Sequence, residues 1–467
     1  MGSLRAWLGN RGWSLPSYSR NVYLILLYTL GKGFQIYIGQ VTINLYAYSL
    51  GYHEDFIGLL TAMPAIGSLL AAIPIGLLAD RIGRKPLLLI SGVLNPMALA
   101  AIALSTSAPA LLIASFFNGV LSAAYWVTIL PILTESTEED QQVGVLAINS
   151  FLLLGVGALG SLVGGFIPEV ISFIIHQPAL SPVPLRFGVL AAATVTFLPV
   201  LPLFTLDSLP SSRAPAEPEP AAAVAPTGQS APQVEAPVPV SPVSARPKQK
   251  ERLERGALIT LFAKLLIPDL LATTGEGTVV GLLQLYFVLR FNMQPGSLGA
   301  LFTLAGLLGG ATALNAPRIV RRWGKLRTAT TMQYLSAPAM LLTGFAPVLP
   351  LAAAGEFSRI VLRGLFDPTY AAFTMEQVSS RYRATLSGFY SVTWSLGFGI
   401  GPTVAGWLYR HLGPTSTFIV GAACLTGAAT LLRLFFGRLP RSSTQSGDAA
   451  DATAIKGAPS GAGTSSH

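Results

Sequence analysis

Runs of about twenty apolar residues, broken by short polar stretches, recur along almost the whole chain, and a run of that length spans a bilayer as an α-helix. Twelve such runs, called spans 1 to 12 below, are predicted at residues 21–46, 56–78, 87–105, 109–133, 143–166, 183–206, 257–289, 297–319, 328–346, 348–373, 385–409 and 414–436. They divide into a lobe at 21–206 and a lobe at 256–437, with a short segment at 1–20 before the first. Between them, 207–255 has prolines every few residues and almost no large apolar side chains, so it is predicted to be an extended or disordered linker. Its last part, KQKERLERG, turns helical and basic on the way into span 7. Residues 438–467 are rich in Gly, Ser, Ala and Thr and read as a disordered tail. Span 1 is too long for a signal peptide, lacks an A-x-A site and is followed at once by another span, so it is expected to stay as an anchor.

The two lobes repeat one another. GLLADRIGRKPLL occupies 76–88, and a degraded copy, APRIVRRWGKLRT, begins at Ala316. Gly83 and Gly324 lie 241 residues apart, and the same offset relates Gly58 to Gly299, Glu135 to Glu376, Gly160 to Gly401 and Gly165 to Gly406. A register held over five landmarks implies a duplicated membrane bundle. Because the halves repeat in the same direction, they are predicted to be related by a pseudo-two-fold axis along the membrane normal. The glycine-rich runs 155–165 and 397–407 occupy equivalent places. They suit either close packing or a flexible helix at the lobe interface, and Pro402 can bend the second.

Only 11% of residues are charged and the mean hydropathy is +0.57, against about 25% charged in soluble domains. The net charge of +9 would suit nucleic acid if it formed one patch. Instead the bases sit in alternate loops: Arg5, Arg11 and Arg20, then Arg81, Arg84 and Lys85, then Arg318 to Arg327, with few in the loops between. By the positive-inside rule this places both termini in the cytoplasm and excludes a nucleic-acid footprint. The one cysteine, Cys424, forms no intrachain disulfide, and four scattered histidines suggest no metal. No cofactor is expected, and no G-x-x-x-x-G-K-[ST] loop points to nucleotide-driven transport.

GLLADRIGRKPLL resembles motif A of the major facilitator superfamily at Gly76, Leu78, Asp80, Arg81, Gly83, Arg84, Lys85 and Leu88. The resemblance covers essentially the whole chain. It implies an all-α membrane protein of two six-helix lobes with a central cavity, through which substrate passes by alternating access. Two motifs of the family's proton-driven drug exporters are weak: Ser115 stands where an arginine is expected, four residues before Gly119, and Ser161 replaces a proline beside Gly160, Gly164 and Gly165. The resemblance further implies that Asp80 sits against the first turn of span 11, where a helix N-terminus favours an acid. Gly83 permits a tight turn, and Arg84 can pair with an acid across the loop. RGLFDPTYAAFTMEQVSSRYRAT is similar to span 10 of bacterial exporters in the family, in which an acid and a later arginine, here Glu376 and Arg383, close the cytoplasmic side.

Against nearly uncharged spans, Lys32 in span 1 and Glu276 in span 7 stand out, each between glycines. A charge at mid-bilayer costs roughly 2.5–3.5 kcal/mol on insertion scales and normally faces an interior cavity. The pair reads either as a salt bridge between lobes, with Lys32 as the counter-ion of Glu276, or as groups binding substrate or a proton. On span 10, Glu356, Arg359, Arg363 and Asp367 follow spacings of three, four and four and so share one helical face. They form either a self-neutralising ladder or a water-facing stripe, to which Asp269 and Lys264 could belong. Gln35, Asn149 and Trp394, with neighbouring amides and aromatics, suit a cavity for a part-apolar solute, while Tyr46, Tyr48 and Tyr52 suit interface anchors.

The reading that follows is a secondary active transporter of a bacterial inner membrane, monomeric and surrounded by lipid. It moves a small organic solute, coupled to protons, and exports it. An importer or lipid or anion carrier using Lys32, Arg359 and Arg363 is the alternative, and a non-transporting receptor the alternative of another class. The acidic 4–5 loop (Glu135, Glu138, Glu139 and Asp140) should latch onto Arg321 and Arg322 of the 8–9 loop when the cytoplasmic side closes. In a background lacking Cys424, cysteines at Pro226 and Ser460 are expected to resist membrane-impermeant thiol reagents in intact cells. Labelling of both would overturn the topology.

Overall fold

The computed structural model describes residues 18–138, 141–206, 248–313 and 315–437, and among them every regular element is helical. Spans 1 to 4 are Arg20–Ser49, Glu54–Ile82, Arg84–Leu104 and Ala108–Glu135. Span 5 runs from Gln142–Ser150 through a π-helical segment, Phe151–Val156, into Leu159–Ile175, and span 6 is Pro182–Leu203. Span 7 joins Lys248–Val280 to Leu283–Phe291, and span 8 joins Pro295–Ala313 to Ala316–Trp323. Spans 9 to 12 are Lys325–Phe345, Leu349–Glu376, Ser380–Leu412 and Thr415–Phe436. The expected linker at 207–247, the first 17 residues and the tail from 438 lie outside the described residues.

Length and composition alone pass eight of these helices as membrane spans, and span 8 makes nine if its bent pair is one span. Spans 9, 10 and 11 reach spanning length but are more polar, because they carry the threonines, amides and charges that face the inside of the bundle. Span 7 breaks at Gly281 and Leu282, one turn beyond Glu276 and not at its flanking glycines.

Packing within the lobes follows the duplication. Span 1 packs on spans 5 and 6, as span 7 does on 11 and 12; span 4 packs on 2 and 3, as span 10 does on 8 and 9. Gly83 turns span 2 into span 3 with φ 88° and ψ 158°, and Gly324 turns span 8 into span 9 with φ 79° and ψ 157°. Side chains rarely adopt that backbone conformation, so both turns call for glycine. Tyr46 and Tyr286 also correspond. The first donates its hydroxyl to the carbonyls of Ala103 and Ser105, both at 2.9 Å, and the second to that of Thr343 at 2.9 Å. Tyr46 is therefore fully buried and ties spans 1 and 3, contrary to its expected place at the lipid interface.

Between lobes, span 2 crosses span 11 and span 5 crosses span 8. A Cβ on Gly58 would lie 2.9 Å from Gly406 Cα, and one on Gly299 would lie 3.2 Å from Gly165 Cα. The offset of 241 converts the first crossing into the second. Further ties lie in the same half. Arg410 pairs with Asp55 at 2.5 Å, Gly296 N–H donates to Glu169 at 2.8 Å, and Asn44 Nδ2 donates to the Gly281 carbonyl at 2.8 Å. That carbonyl sits at the break in span 7, where the helical ladder is interrupted. At the other end, which carries Arg81, Arg84, Arg321 and Arg322 and is called the basic end below, the same two spans part. Nothing lies within 4 Å of a Cβ on Gly76 of span 2 or Gly388 of span 11. Leu77, Leu78, Phe389 and Trp394 are exposed there. The bundle is closed at one end and open at the basic end.

A β-branched side chain at Gly58 or Gly299 would meet backbone of the other lobe, and overpacking of this kind costs roughly 1–3 kcal/mol. Gly58→Val and Gly299→Val are expected to lower the melting temperature. Each should also raise the thiol-labelling rate of a cysteine at Asn44, read in a background lacking Cys424. Unchanged labelling in both would show that these crossings do not hold the closed end.

Candidate functional site

The buried charges meet in the C-terminal lobe. Glu276 is 3% exposed, and its Oε2 accepts from Arg359 Nη1 at 2.6 Å while its Oε1 lies 3.3 Å from Arg363 Nη1. Arg359 also forks onto Glu356, Nε to Oε2 at 2.8 Å and Nη2 to Oε1 at 2.7 Å. Arg363 Nε reaches both oxygens of Asp367, at 3.0 and 3.1 Å. Span 10 thus presents acid, base, base and acid on one stripe, with Glu276 of span 7 inserted between the arginines. Bidentate contacts of this kind fix geometry as well as charge. The stripe is graded in solvation: Glu356 and Arg359 are buried, Arg363 is partly exposed and Asp367 is half exposed. Glu276, Gln333, Ser336 and Arg363 border a cavity of about 10 Å³, about the room one water needs.

Lys32 is not the counter-ion of Glu276. It points into its own lobe, where Nζ donates to Asn95 Oδ1 at 2.9 Å and Ser122 Oγ at 3.2 Å and lies 5.8 Å from the centroid of the Tyr125 ring. Gln35 Nε2 shares the same Asn95 oxygen at 2.8 Å. Asn95 Nδ2 in turn donates to Asn118 Oδ1 at 2.9 Å and to Ser122 Oγ at 3.1 Å. The reason the expected bridge fails is helical phase: the two residues are out of register in the repeat, so each faces a different neighbour.

Asn95, Asn118 and Ser122 have no charge to mark them in the sequence, yet the repeat register finds them. The offset of 241 maps Gln35 onto Glu276, Asn95 onto Ser336, Asn118 onto Arg359 and Ser122 onto Arg363. One position in the ancestral lobe has become an amide and hydroxyl cluster in the first copy and an ion network in the second. Elsewhere, Asn149 accepts from Thr29 at 2.8 Å, and Trp394 is half exposed and stacked on Phe398 at 4.8 Å. Asp269, two turns along span 7 from Glu276, accepts from the Thr393 hydroxyl of span 11. Among the described residues neither it nor Lys264 makes an ion pair.

At the basic end the loops hold to their own lobes. Arg84 pairs with Glu135, and at the equivalent positions Lys325 pairs with Glu376. Glu376 and Arg383, expected to close this side, are engaged within their own lobe: Arg383 Nε donates to the Met375 carbonyl at 3.1 Å. Arg321 and Arg322 are exposed and make no ion pair among the described residues, so the expected latch onto the acidic loop is unmade; Glu139 and Asp140 lie outside those residues. Asp80 and Arg81 are exposed too, and among the described residues Asp80 accepts no hydrogen bond from span 11.

A duplicated helical bundle, tied at one end, open at the other and carrying an ion network between spans 7 and 10, has the form of a membrane transporter rather than an enzyme. The chain belongs to the Major Facilitator Superfamily, whose model matches residues 25–355 and 269–460. Solved structures share the fold at low identity. The nucleoside transporter NupG aligns with TM-score 0.64 and 16% identity over 90% of this chain and 99% of its own. A D-xylose–proton symporter gives 0.66 and 14% over 89% and 97%. A bacterial homologue of the human lysosomal transporter Spinster, inward-facing and unoccupied, gives 0.64 and 14% over 90% and 96%. No curated protein matches the chain.

Removing one partner of a buried ion network strands the other, at a cost of roughly 3–5 kcal/mol. Arg359→Met is therefore expected to destabilise strongly, and Glu276→Gln with Arg359→Met to be far from additive. Glu276→Gln and Lys32→Met share no partner and should add within about 0.3–0.5 kcal/mol. Unfolding of the purified variants in detergent measures both cycles. Coupling between Lys32 and Glu276 as large as that with Arg359 would overturn the assignment of partners.

Proposed function

We propose that the chain is a proton-coupled secondary transporter that exports small organic solutes across a bacterial inner membrane by alternating access. The basic end is assigned to the cytoplasm by the positive-inside rule. The contacts at Gly58, Gly299, Asp55 and Glu169 then belong to a closed outer gate, and the conformation is inward-open. The export direction rests on the likeness of span 10 to exporters.

The observation that carries proton coupling is Asp269. Glu276 is paired with two guanidiniums, so a proton reaches the residue singled out by its glycines only by breaking an ion pair. Asp269 has a single neutral donor, Thr393, among the described residues, and it lies on span 7 two turns from Glu276 on the side of the basic end. A carboxyl group so placed, near the open end, can take up a proton without breaking an ion pair, and its charge bears on the exposed rungs of the span 10 ladder. Thr393 belongs to span 11, which also crosses span 2 at the outer gate. Protonation of Asp269 is thereby linked to a span that crosses the interface between the lobes.

Proteoliposomes enclosing a pH-sensitive dye, challenged with a library of organic solutes, test the proposal. Solute addition is expected to drive a proton flux in the wild type. Asp269→Asn should fold normally yet lose the flux, and Asp269→Glu should retain part of it. Wild-type flux in Asp269→Asn would remove Asp269 from the coupling mechanism.

A further inference from the structure

Lys32 is 2% exposed, and among the described residues no carboxylate pairs with it. Among the described residues the N-terminal lobe holds acids only near its two ends: Glu54, Asp55 and Glu169 at the closed end, Asp80, Glu135 and Glu138 at the basic end. Lys32 lies between, with two neutral acceptors for the three protons of its ammonium group. The opposite lobe shows the contrast. There Arg359 and Arg363 each meet two carboxylates. A buried charge without a counter-ion is costly, so a fold that retains Lys32 either keeps it neutral or completes it with an anion from outside.

The surroundings favour the anion. Asn118 and Ser122 are only partly buried, so the cluster opens on the side of span 4. The offset of 241 maps that side onto the side of span 10 that carries Arg359 and Arg363. Trp126, one turn further along span 4, is half exposed, and the offset of 241 maps it onto Asp367, whose half-exposed carboxylate belongs to the water-facing end of the span 10 ladder. Trp126 also meets Tyr125 edge to face at 5.1 Å, which joins an apolar surface to the polar cluster. The arginines that could compete for an anion, Arg359 and Arg363, are already occupied by Glu276, Glu356 and Asp367.

We infer that Lys32, with Asn118 and Ser122, is a binding site for the carboxylate of a small organic anion whose apolar body rests on Trp126. The solute then supplies the counter-ion that the protein lacks. This names the substrate class of the transporter proposed above and rests on that reading, but the two fail separately. Binding is read on purified protein with no gradient, so loss of proton coupling would leave the site standing, and loss of the site would leave proton coupling standing.

The test uses benzoate, benzamide and chloride as probes of the full-length protein in detergent, read by thermal unfolding. Benzoate is expected to raise the melting temperature above the effect of equimolar benzamide or sodium chloride. Lys32→Met should lose that shift and, having shed an uncompensated charge, should melt no lower than wild type without ligand. Ser122→Asp places a carboxylate beside Lys32. It should raise the unliganded melting temperature and also abolish the benzoate shift, which keeps the test decisive should Lys32→Met fail to fold. Equal shifts with benzoate and benzamide would overturn the inference, as would no shift with benzoate or a benzoate shift that survives in Ser122→Asp. A shift reproduced by chloride alone would reassign the site to an inorganic anion and overturn the carboxylate.

Discussion

Two helix crossings hold the lobes together, and each depends on backbone meeting backbone at glycine. Span 2 meets span 11 at Gly58 and Gly406, and span 5 meets span 8 at Gly165 and Gly299. Without an aqueous driving force between helices, association in a bilayer relies on packing contacts and hydrogen bonds, which small residues bring close enough to form. Because one duplication generated both crossings, the closed end is pinned at two points about a pseudo-two-fold axis. The parted basic end follows from where those points lie. Spans 2 and 11 touch near one end and diverge toward the other, and the span 10 ladder grows more exposed toward that same end.

The cost of charge in an apolar medium arranges what lies inside that space. Three carboxylates and two arginines neutralise one another across spans 7 and 10, fully buried at one end of the stripe and progressively wetter toward the basic end. The N-terminal lobe has the same positions filled by amides and hydroxyls, with one ammonium left over. Divergence after duplication thus divided two tasks. One copy became a rigid, internally compensated network. The other kept polar groups with unused capacity, the condition for recognising a ligand. Asp269 and Lys32, one in the first span of each lobe, make no ion pair among the described residues.

Much of this was legible before any coordinates. The offset of 241 followed from a handful of glycines and one glutamate, and it maps crossings, turns and ion pairs alike: Arg84 with Glu135 recurs as Lys325 with Glu376. The shared face of Glu356, Arg359, Arg363 and Asp367 followed from helical spacing. The partner of Glu276 was not legible, because partner choice depends on rotation of span 7 about its axis relative to span 10. Asn95, Asn118 and Ser122 carried no signal of their own, since uncharged polar residues are common in membrane helices, although the register applied to the span 10 charges would have pointed to them. Motif A gave the glycine turn but not the state of Asp80, which changes with the conformation of the bundle.

The sequence by itself determined the helices, the duplication and the places where charge enters the membrane, because hydrophobic run length and repeat register are one-dimensional properties. The tertiary structure decided which end is open, which charges neutralise each other and which ammonium is left without a counter-ion. Those outcomes depend on helix rotation and on crossings between residues more than a hundred positions apart, where a shift of one turn exchanges one partner for another.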